Sequence, residues 1–276
     1  MSGASLAEVA RLPRLAIVGG AMILAWIMVA LLAPWFAPFD PIEQDLTRTL
    51  LPPNLQHWLG TDNYGRDVLS RLIWGARLDL QMGLVAVAIT FSIGTVIGAI
   101  AGYVGGFLDT LLMRLLDVTI SFPFFVLMIA IISVLGSGLA GFYIAVALVG
   151  WVSYARIVRA RTLVLRQSDF VLAARSLGFR PARILLRHIV PNAIAPAVVF
   201  SMSDAVLYIL LGSSLSYLGL GVEPPTAEWG VMIAEGQTYI ATAWWMTTFP
   251  GFAIALLALA FSLFADGLAE VLGTST

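Results

Sequence analysis

Six long runs of apolar residues constrain this chain more than any other feature of its sequence. Each run holds about twenty residues, which is the length that an α-helix needs to cross a hydrocarbon core about 30 Å thick. β-Barrel strands would instead be about ten residues long and would alternate strictly between apolar and polar positions. The sequence therefore predicts an all-α, polytopic membrane protein with six transmembrane helices. The runs cover residues 15–37, 79–104, 113–135, 139–158, 193–220 and 248–268.

The composition excludes several classes of protein. Of the 276 residues, 60% are apolar and only 11% are charged, far from the averages of soluble domains. The chain has no cysteine, and all fifteen of its basic residues are arginine, so thiol ligands and the lysine of a phosphate-binding loop are missing. Neither His-Glu-x-x-His nor Gly-x-Ser-x-Gly occurs. We therefore predict no catalytic residue, no metal site, no cofactor and no nucleic-acid partner, and any ATP must be bound by another subunit.

Arginine is distributed unevenly between the predicted loops. If the N-terminus lies inside, eleven arginines fall on the inner side of the membrane and four on the outer side. The positive-inside rule then predicts that both termini are cytoplasmic. The first apolar run exceeds the roughly 7–15 residues of a signal peptide, so we expect it to be retained. The inner set is Arg11, Arg14, Arg114 and the eight arginines from Arg156 to Arg187, and the outer set is Arg48, Arg66, Arg71 and Arg77.

These assignments divide the chain into four parts. Residues 1–14 form a cytoplasmic N-terminus, and residues 15–37 form the first transmembrane helix. Residues 38–78 form an extracytoplasmic segment. Residues 79–270 form a core of five transmembrane helices, which includes a cytoplasmic loop at 159–192.

The extracytoplasmic segment begins with prolines and then takes on a helical pattern. From Asp67 onward, apolar residues recur at helical spacing while polar residues occupy the other side, which indicates an interfacial amphipathic helix. Asp67 and Arg71 are four residues apart and could form an ion pair. We interpret this helix as a structural elbow that leads into the second span, with contact to a substrate as the alternative.

Three glycines lie on one face of the second span. Gly94, Gly98 and Gly102 follow one another at a spacing of four residues. Small residues at this spacing let two helix backbones approach closely, so the pattern predicts a packing seam within this chain or against a second subunit.

A proline interrupts the third span near its beginning. The sequence Ser121-Phe122-Pro123 predicts a local bend or break, because proline has no N–H to donate and its ring clashes with the preceding turn.

The fifth span is the most polar of the six. A carboxylate in the middle of a span costs about 2.5–3.5 kcal/mol on insertion scales and therefore usually faces a bundle interior or a wet cavity. We predict that Asp204, with Ser201 and Tyr208, lines a translocation pathway. The alternative is an acid that only holds neighbouring helices together.

The basic loop between the fourth and fifth apolar runs predicts two short helices. Ser168 or Asp169 can cap the first helix, and Gly178 can end it. Pro181 can open the second helix at its first turn, and Pro191 should stop it. A structured basic loop of this kind indicates a surface that contacts another molecule.

Residues 169–192 of this loop resemble the cytoplasmic loop shared by the membrane subunits of bacterial ABC importers. The shared pattern is Glu-Ala-Ala, three residues, Gly, nine residues, and Ile-x-Leu-Pro. Four residues match it at the right spacing, namely Ala173, Ala174, Gly178 and Pro191. Three residues depart from it, because Leu172 replaces the glutamate, His188 the isoleucine and Val190 the leucine.

Further motifs narrow the resemblance to the dipeptide, oligopeptide and nickel permeases. It covers residues 15–270 in order and is closest to the "C" member of the permease pair, whose segment after the first span is short. The matching motifs are Leu59-Gly60-Thr61-Asp62, Gly65–Arg71, Arg187–Asn192, Ser216–Pro225, Trp229-Gly230, Phe249-Pro250-Gly251 and Asp266-Gly267-Leu268.

The resemblance implies a type I ABC importer permease fold in the bacterial inner membrane. It also implies a homologous "B"-type permease, two cytoplasmic ATPase subunits that bind ATP and Mg²⁺, and an extracytoplasmic solute-binding protein. The expected function is peptide uptake, and import of nickel or another small solute is the alternative within the family. An ion-coupled secondary carrier is the alternative from another class.

The first helix of the loop is then expected to couple the permease to an ATPase. We predict that Phe170, Val171, Ala174 and Leu177 form one face that inserts into a groove on the ATPase, together with Ala173, Gly178 and Phe179. The alternative is that the arginines of the loop bind anionic lipid headgroups, with Arg159, Arg161 and Arg166 nearest the lipid. The lipid bilayer is in either case a partner of the chain.

Overall fold

A computed structural model describes residues 14–272 of the chain. Its regular elements are all helical, and the one strand-like contact among these residues is an isolated bridge between Thr61 and Asp67. Most of the predicted cytoplasmic N-terminus, residues 1–14, lies outside the described residues.

Thirteen α-helices follow one another along the described chain. A 3-10 helix, Leu46–Arg48, precedes the third of them, and a π-helix, Leu185–Ile189, joins the ninth to the tenth. The α-helices are α1 (Arg14–Leu31), α2 (Ala33–Phe36), α3 (Val68–Val104), α4 (Gly106–Ile120), α5 (Phe124–Leu135), α6 (Leu139–Val149), α7 (Trp151–Leu165), α8 (Asp169–Ser176), α9 (Pro181–Ile184), α10 (Val190–Ala193), α11 (Ala195–Tyr217), α12 (Trp229–Gln237) and α13 (Trp245–Val271).

Five helical segments are long and apolar enough to cross a membrane. They are α1, α3, Leu139–Leu165 (α6 with α7), α11 and α13. A sixth candidate consists of α4 and α5, which meet at a bend of 88°. With this bent pair counted as one span, the number matches the six apolar runs. The prediction of an all-α polytopic membrane protein is confirmed.

The bend between α4 and α5 lies at the predicted proline. The N–H of Ser121 still donates to the carbonyl oxygen of Asp117 (3.1 Å), which closes the last turn of α4. Pro123 has no N–H to continue the ladder, but its carbonyl oxygen accepts from Leu127 (3.0 Å) and so begins α5. The proline therefore separates two helices instead of kinking one.

Helix α3 joins the predicted interfacial helix to the second span without interruption. It has 37 residues and contains no proline. Helix α3 ends before Gly105 (φ +70°) and Gly106 (φ +61°), because a positive φ lies outside the right-handed helical region. Residues that carry a Cβ rarely adopt such a φ, which is why both positions are glycine. The predicted boundary between residues 78 and 79 is thus not a break in the helix.

The described residues pack into two compact units. The first unit consists of residues up to Leu84, Leu135–Phe142 and residues from Met202 onward. The second unit consists of Val85–Val134 and Tyr143–Ser201.

In the first unit, α1 packs closely against α13 along a seam of small residues. A Cβ added to Gly19 would lie 2.4 Å from the backbone nitrogen of Phe264, and one added to Gly267 would lie 2.3 Å from that of Ala16. The two helices are antiparallel, since the earlier residue of α1 meets the later residue of α13. Small residues at such a crossing are typical of membrane helices, whose association depends on close van der Waals packing.

In the second unit, the three predicted glycines of α3 lie against α7. A Cβ added to Gly94 or to Gly98 would lie 2.4 Å from the carbonyl oxygen of Trp151 or Ala155, respectively. At Gly102 the corresponding distance to the carbonyl oxygen of Arg159 is 2.9 Å. The seam is therefore formed within this chain.

The seam yields a prediction for Gly98→Ala. The added methyl group overlaps the backbone of α7, so the helices must separate, and overpacking of this kind costs about 1–3 kcal/mol. We expect a lower apparent melting temperature of the purified protein in detergent.

Gly251→Ala in α13 is the matched control, because nothing lies within 4 Å of the added Cβ and alanine favours a helix. Equal melting temperatures for Gly98→Ala and Gly251→Ala would show that α3 and α7 do not pack as described.

Candidate functional site

Helix α8 begins and ends at the residues that the sequence predicts. Ser168 holds the N-cap position, but its hydroxyl donates backward to the carbonyl oxygen of Leu165 (2.5 Å) and does not cap α8. Gly178 adopts a positive φ of 78° after the last turn. The N–H of Phe179 then donates to the carbonyl oxygen of Ala174 (3.2 Å), which closes the C-terminus of the helix.

The prediction that Pro191 stops the second helix of the loop is wrong. Helical structure continues from α9 through the π-helix into α10, and Pro191 lies in the first turn of α10. In the π-helix the N–H of Val190 donates to the carbonyl oxygen of Leu185, five residues earlier. This wider turn accommodates the proline, whose ring would clash with the carbonyl group four residues earlier in a regular α-helix.

The residues predicted to dock onto an ATPase divide into two sets. Val171 and Ala174 are buried in the core of the second unit, where they belong to one cluster with Tyr154 and Val158. They attach α8 to the protein's own helices and are not free to enter a partner's groove. The remaining surface of α8 is open, because Phe170, Ala173, Leu177 and Gly178 are exposed and Phe179 is half-buried.

The predicted pathway residues lie on α11 and are all buried. Asp204, Ser201 and Tyr208 have little solvent exposure in the isolated chain. The hydroxyl of Ser201 donates to the carbonyl oxygen of Val198 (2.6 Å), an ordinary contact within the helix.

A buried charge network, missed by the sequence analysis, connects the segment before α3 with α12 in the first unit. The guanidinium of Arg66 donates to Asp62 (2.6 Å) and to Glu235 (2.7 Å). Arg71 donates to the same oxygen of Glu235 (2.9 Å) and lies 3.6 Å from Asp62. Both arginine side chains are almost fully buried, and the two positive charges are compensated by the two negative charges of Asp62 and Glu235.

The ion pair predicted between Asp67 and Arg71 is not formed. Asp67 directly precedes α3, and its carboxylate accepts from the N–H and the hydroxyl of Ser70 (both 2.7 Å). Its other oxygen contacts the Nδ1 atom of His57 (2.9 Å). Capping the helix therefore orients Asp67 away from Arg71, while Glu235 binds that arginine. These contacts favour the interpretation of the segment as a structural elbow.

Two glycines make the tight turns of this elbow possible. Gly60 and Gly65 have φ values of +79° and +75°, and a Cβ on Gly65 would overlap the backbone of Asp45.

Side-chain hydrogen bonds also hold this segment in place. The hydroxyl and the N–H of Thr47 donate to the Asp45 carboxylate, and these hydrogen bonds hold the pKa of that carboxyl below its usual value. The indole N–H of Trp245 on α13 donates to the carbonyl oxygen of Thr61 (3.0 Å).

A second buried polar cluster fixes the start of α12. Glu228 is the N-cap residue and accepts from the N–H groups of Gly230 (2.9 Å) and Val231 (2.8 Å). Asp79 of α3 accepts from the N–H of Trp229 (3.2 Å), and Ser213 of α11 lies within 3.1 Å of both carboxylates. This cluster has no local signature in the sequence, although an acid at the N-terminus of a helix, here Glu228, is favoured by the helix dipole.

Long apolar helices and a structured basic loop with this spacing define a class of protein: the membrane-spanning subunits of ABC importers. Residues 94–276 match the family model described as binding-protein-dependent transport system inner membrane component. Residues 13–53 match the N-terminal transmembrane domain of oligopeptide transport permease C. The chain belongs to the binding-protein-dependent transport system inner membrane component family of ABC importer permeases.

Curated relatives align along almost the whole chain. The dipeptide transport system permease protein of Alkalihalophilus pseudofirmus is 39% identical over 94% of this chain and 85% of its own length. The probable D,D-dipeptide transport system permease protein of Escherichia coli K12 is 38% identical over 98% of this chain and 91% of its own length. The glutathione transport system permease protein of Escherichia coli O157:H7 is 43% identical over 95% of this chain and 87% of its own length.

The charge network yields a prediction for Glu235→Gln. The substitution keeps the size of the side chain but leaves two buried guanidinium groups with only Asp62. Breaking a buried ion pair by removing one partner costs about 3–5 kcal/mol. We expect a much lower melting temperature and little folded protein in the membrane.

Glu223→Gln is the control, because Glu223 is an exposed acid of the first unit whose carboxylate accepts a hydrogen bond from the hydroxyl of Ser137 (2.7 Å) and forms no ion pair within residues 14–272. If Glu235→Gln melted at the temperature of Glu223→Gln, the network would not stabilise the fold.

Proposed function

We propose that this chain is a permease subunit of a peptide importer. With a homologous "B"-type permease it forms the pathway for di- or oligopeptides, which a solute-binding protein delivers and two separate ATPase subunits drive inward. The observation that carries the proposal is that relatives aligned with at least 94% of this chain bear the names of dipeptide and glutathione permeases. These solutes are all short peptides, although import of nickel or another small solute is the alternative within the same family.

The exposed face of α8 is the proposed contact with an ATPase. Phe170, Ala173 and Leu177 recur at intervals of three and four residues and therefore share one side of the helix. Val171 and Ala174 attach the adjacent side to α7 through Tyr154 and Val158. A movement of the ATPase against the exposed face would consequently displace α8 together with the core of the second unit.

The proposed orientation places both termini and α8 in the cytoplasm. The excess of eleven arginines over four supports it. The segment 38–78 then faces the solute-binding protein in the extracytoplasmic space of a bacterial inner membrane.

The function is tested by uptake in cells that contain the complete transporter. We expect ATP-dependent accumulation of a labelled dipeptide and none of labelled Ni²⁺. Leu177→Asp should abolish uptake and ATPase association, because it places a charge on the proposed contact without touching the core (Leu177 is 74% exposed).

Leu186→Asp provides the matched control, since Leu186 is a similarly exposed leucine (68%) that lies outside the proposed contact. Full uptake by Leu177→Asp would refute the coupling role of α8. Uptake that persists without ATP while the proton gradient is kept would favour an ion-coupled carrier, and accumulation of Ni²⁺ alone would replace the peptide as substrate.

We also propose that Asp204, Ser201 and Tyr208 line the pathway. Because all three are buried, this role requires α11 to expose them when the transporter opens. The chain has no cysteine, so Ser201→Cys introduces a single thiol. We expect a water-soluble thiol reagent to label it during transport and not in the resting state, whereas equal protection in both states would argue for a purely structural role.

A further inference from the structure

A basic pocket lies beside α8 in the second unit. It has a volume of about 510 Å³ and is formed by the end of α3, the link between α7 and α8, and one flank of α8. We define the basic pocket by its six lining residues, which are Tyr103, Val104, Arg166, Gln167, Leu172 and Arg175.

Neutral groups hold the two arginines of the basic pocket in place. The guanidinium of Arg166 donates to the carbonyl oxygen of Gly102 (3.0 Å) at the C-terminus of α3. The guanidinium of Arg175 lies over the ring of Tyr103, 5.5 Å from its centre. Within residues 14–272 neither arginine forms an ion pair. Two like charges in one concavity, without a carboxylate, favour the binding of an anion.

The charge of Arg159, another arginine of the second unit, is compensated by a carboxylate. Its Nε and Nη2 atoms donate to the two oxygens of Asp109 (2.5 and 2.7 Å). This bidentate pair occupies both oxygens of that carboxylate. Among the arginines predicted to lie nearest the lipid, Arg159 is therefore paired with a carboxylate, whereas Arg166 forms no ion pair within residues 14–272 and is attracted to the same Asp109 only at longer range.

The position of the basic pocket in the chain identifies the kind of anion. Val104 ends α3, and Arg166 directly follows Leu165, so two helices that contain candidate spans end at the pocket, about two helical turns beyond the apolar run 139–158. Apolar surface borders the arginines, since Val104 is 60% and Leu172 is 46% exposed. Guanidinium groups beside apolar surface at the ends of spans match a phosphate at headgroup level with acyl chains next to it.

The basic pocket and the proposed ATPase contact occupy different flanks of α8. At about 100° per residue, Leu172 and Arg175 point roughly opposite to Phe170, Ala173 and Leu177 around the helix axis. A protein bound to the exposed face would thus leave the basic pocket open. This separation favours a lipid over a carboxylate of an ATPase subunit.

We propose that the basic pocket binds the phosphate group of an anionic phospholipid through Arg166 and Arg175. The glycerol and the first part of the acyl chains then lie along Val104 and Leu172. The lipid fills the place of a counter-ion between the end of α3 and α8. This inference does not depend on the transported solute or on the proposed contact of α8 with an ATPase.

The experiment measures lipid binding to the full-length chain in detergent by native mass spectrometry. Phosphatidylglycerol and phosphatidylethanolamine of equal chain length are titrated separately. We expect the anionic lipid to bind about 25-fold more tightly, because each arginine near an anionic headgroup contributes about fivefold. Arg175→Gln should remove about fivefold of this preference, and the double substitution Arg166→Gln with Arg175→Gln should remove nearly all of it.

Arg175→Gln is the decisive single variant, since the guanidinium of Arg175 lies over the ring of Tyr103, whereas that of Arg166 also donates to the backbone at the end of α3. Arg161→Gln is the control, because Arg161 is an exposed arginine of α7 outside the basic pocket. An equal loss in Arg161→Gln and Arg175→Gln would reduce the effect to general surface charge and overturn the proposal. Displacement of the lipid by millimolar inorganic phosphate would assign the pocket to a free anion. If Arg175→Gln lost its association with the ATPase subunits in membranes but bound phosphatidylglycerol as before, the basic pocket would be assigned to a carboxylate of an ATPase subunit.

Discussion

Each backbone N–H and C=O group that enters a hydrocarbon core needs a partner within the chain, because no water is present to supply one. Continuous helices meet this requirement in α1, α3, α11 and α13. Since the lipid is as apolar as the side chains, these helices gain little from apolar burial against one another and must pack closely instead. The glycine seams of α3 on α7 and of α1 on α13 follow from that requirement.

A related constraint, that a charge removed from water needs a partner of opposite charge, explains the contrast between two groups of arginines. Arg66 and Arg71 are buried, and each contacts two carboxylates, because a buried charge without compensation is too costly to keep. Arg166 and Arg175 line an open pocket and contact a carbonyl oxygen and an aromatic ring. A solvated guanidinium can remain without a carboxylate at little cost, so the second group is free to bind an anion from outside the chain.

Local signals in the sequence predicted the features that are determined locally. The lengths of the apolar runs predicted the spans, Pro123 predicted the bend after α4, and Gly178 predicted the end of α8. The predictions were wrong where contacts between residues far apart in the sequence determine the structure. Arg71 pairs with Glu235, 164 positions away, in preference to Asp67 four positions away. The π turn before Pro191 was likewise not predicted, because a proline is expected to stop the helix.

Helix α8, the candidate coupling helix, also combines features that the sequence predicts with features that it does not. Its boundaries and the small residue Ala173 were visible in the sequence, but a helical pattern cannot tell which apolar side faces the protein and which faces a partner. The structure shows which side faces the protein, since Val171 and Ala174 are buried while Leu177 is exposed. A helix so attached on one side can transmit force only if the attachment is stronger than the contact that moves it. Burial of two apolar side chains against α7 provides that attachment, and it leaves exposed both the flank of α8 that we propose contacts an ATPase and the flank that we propose binds a lipid.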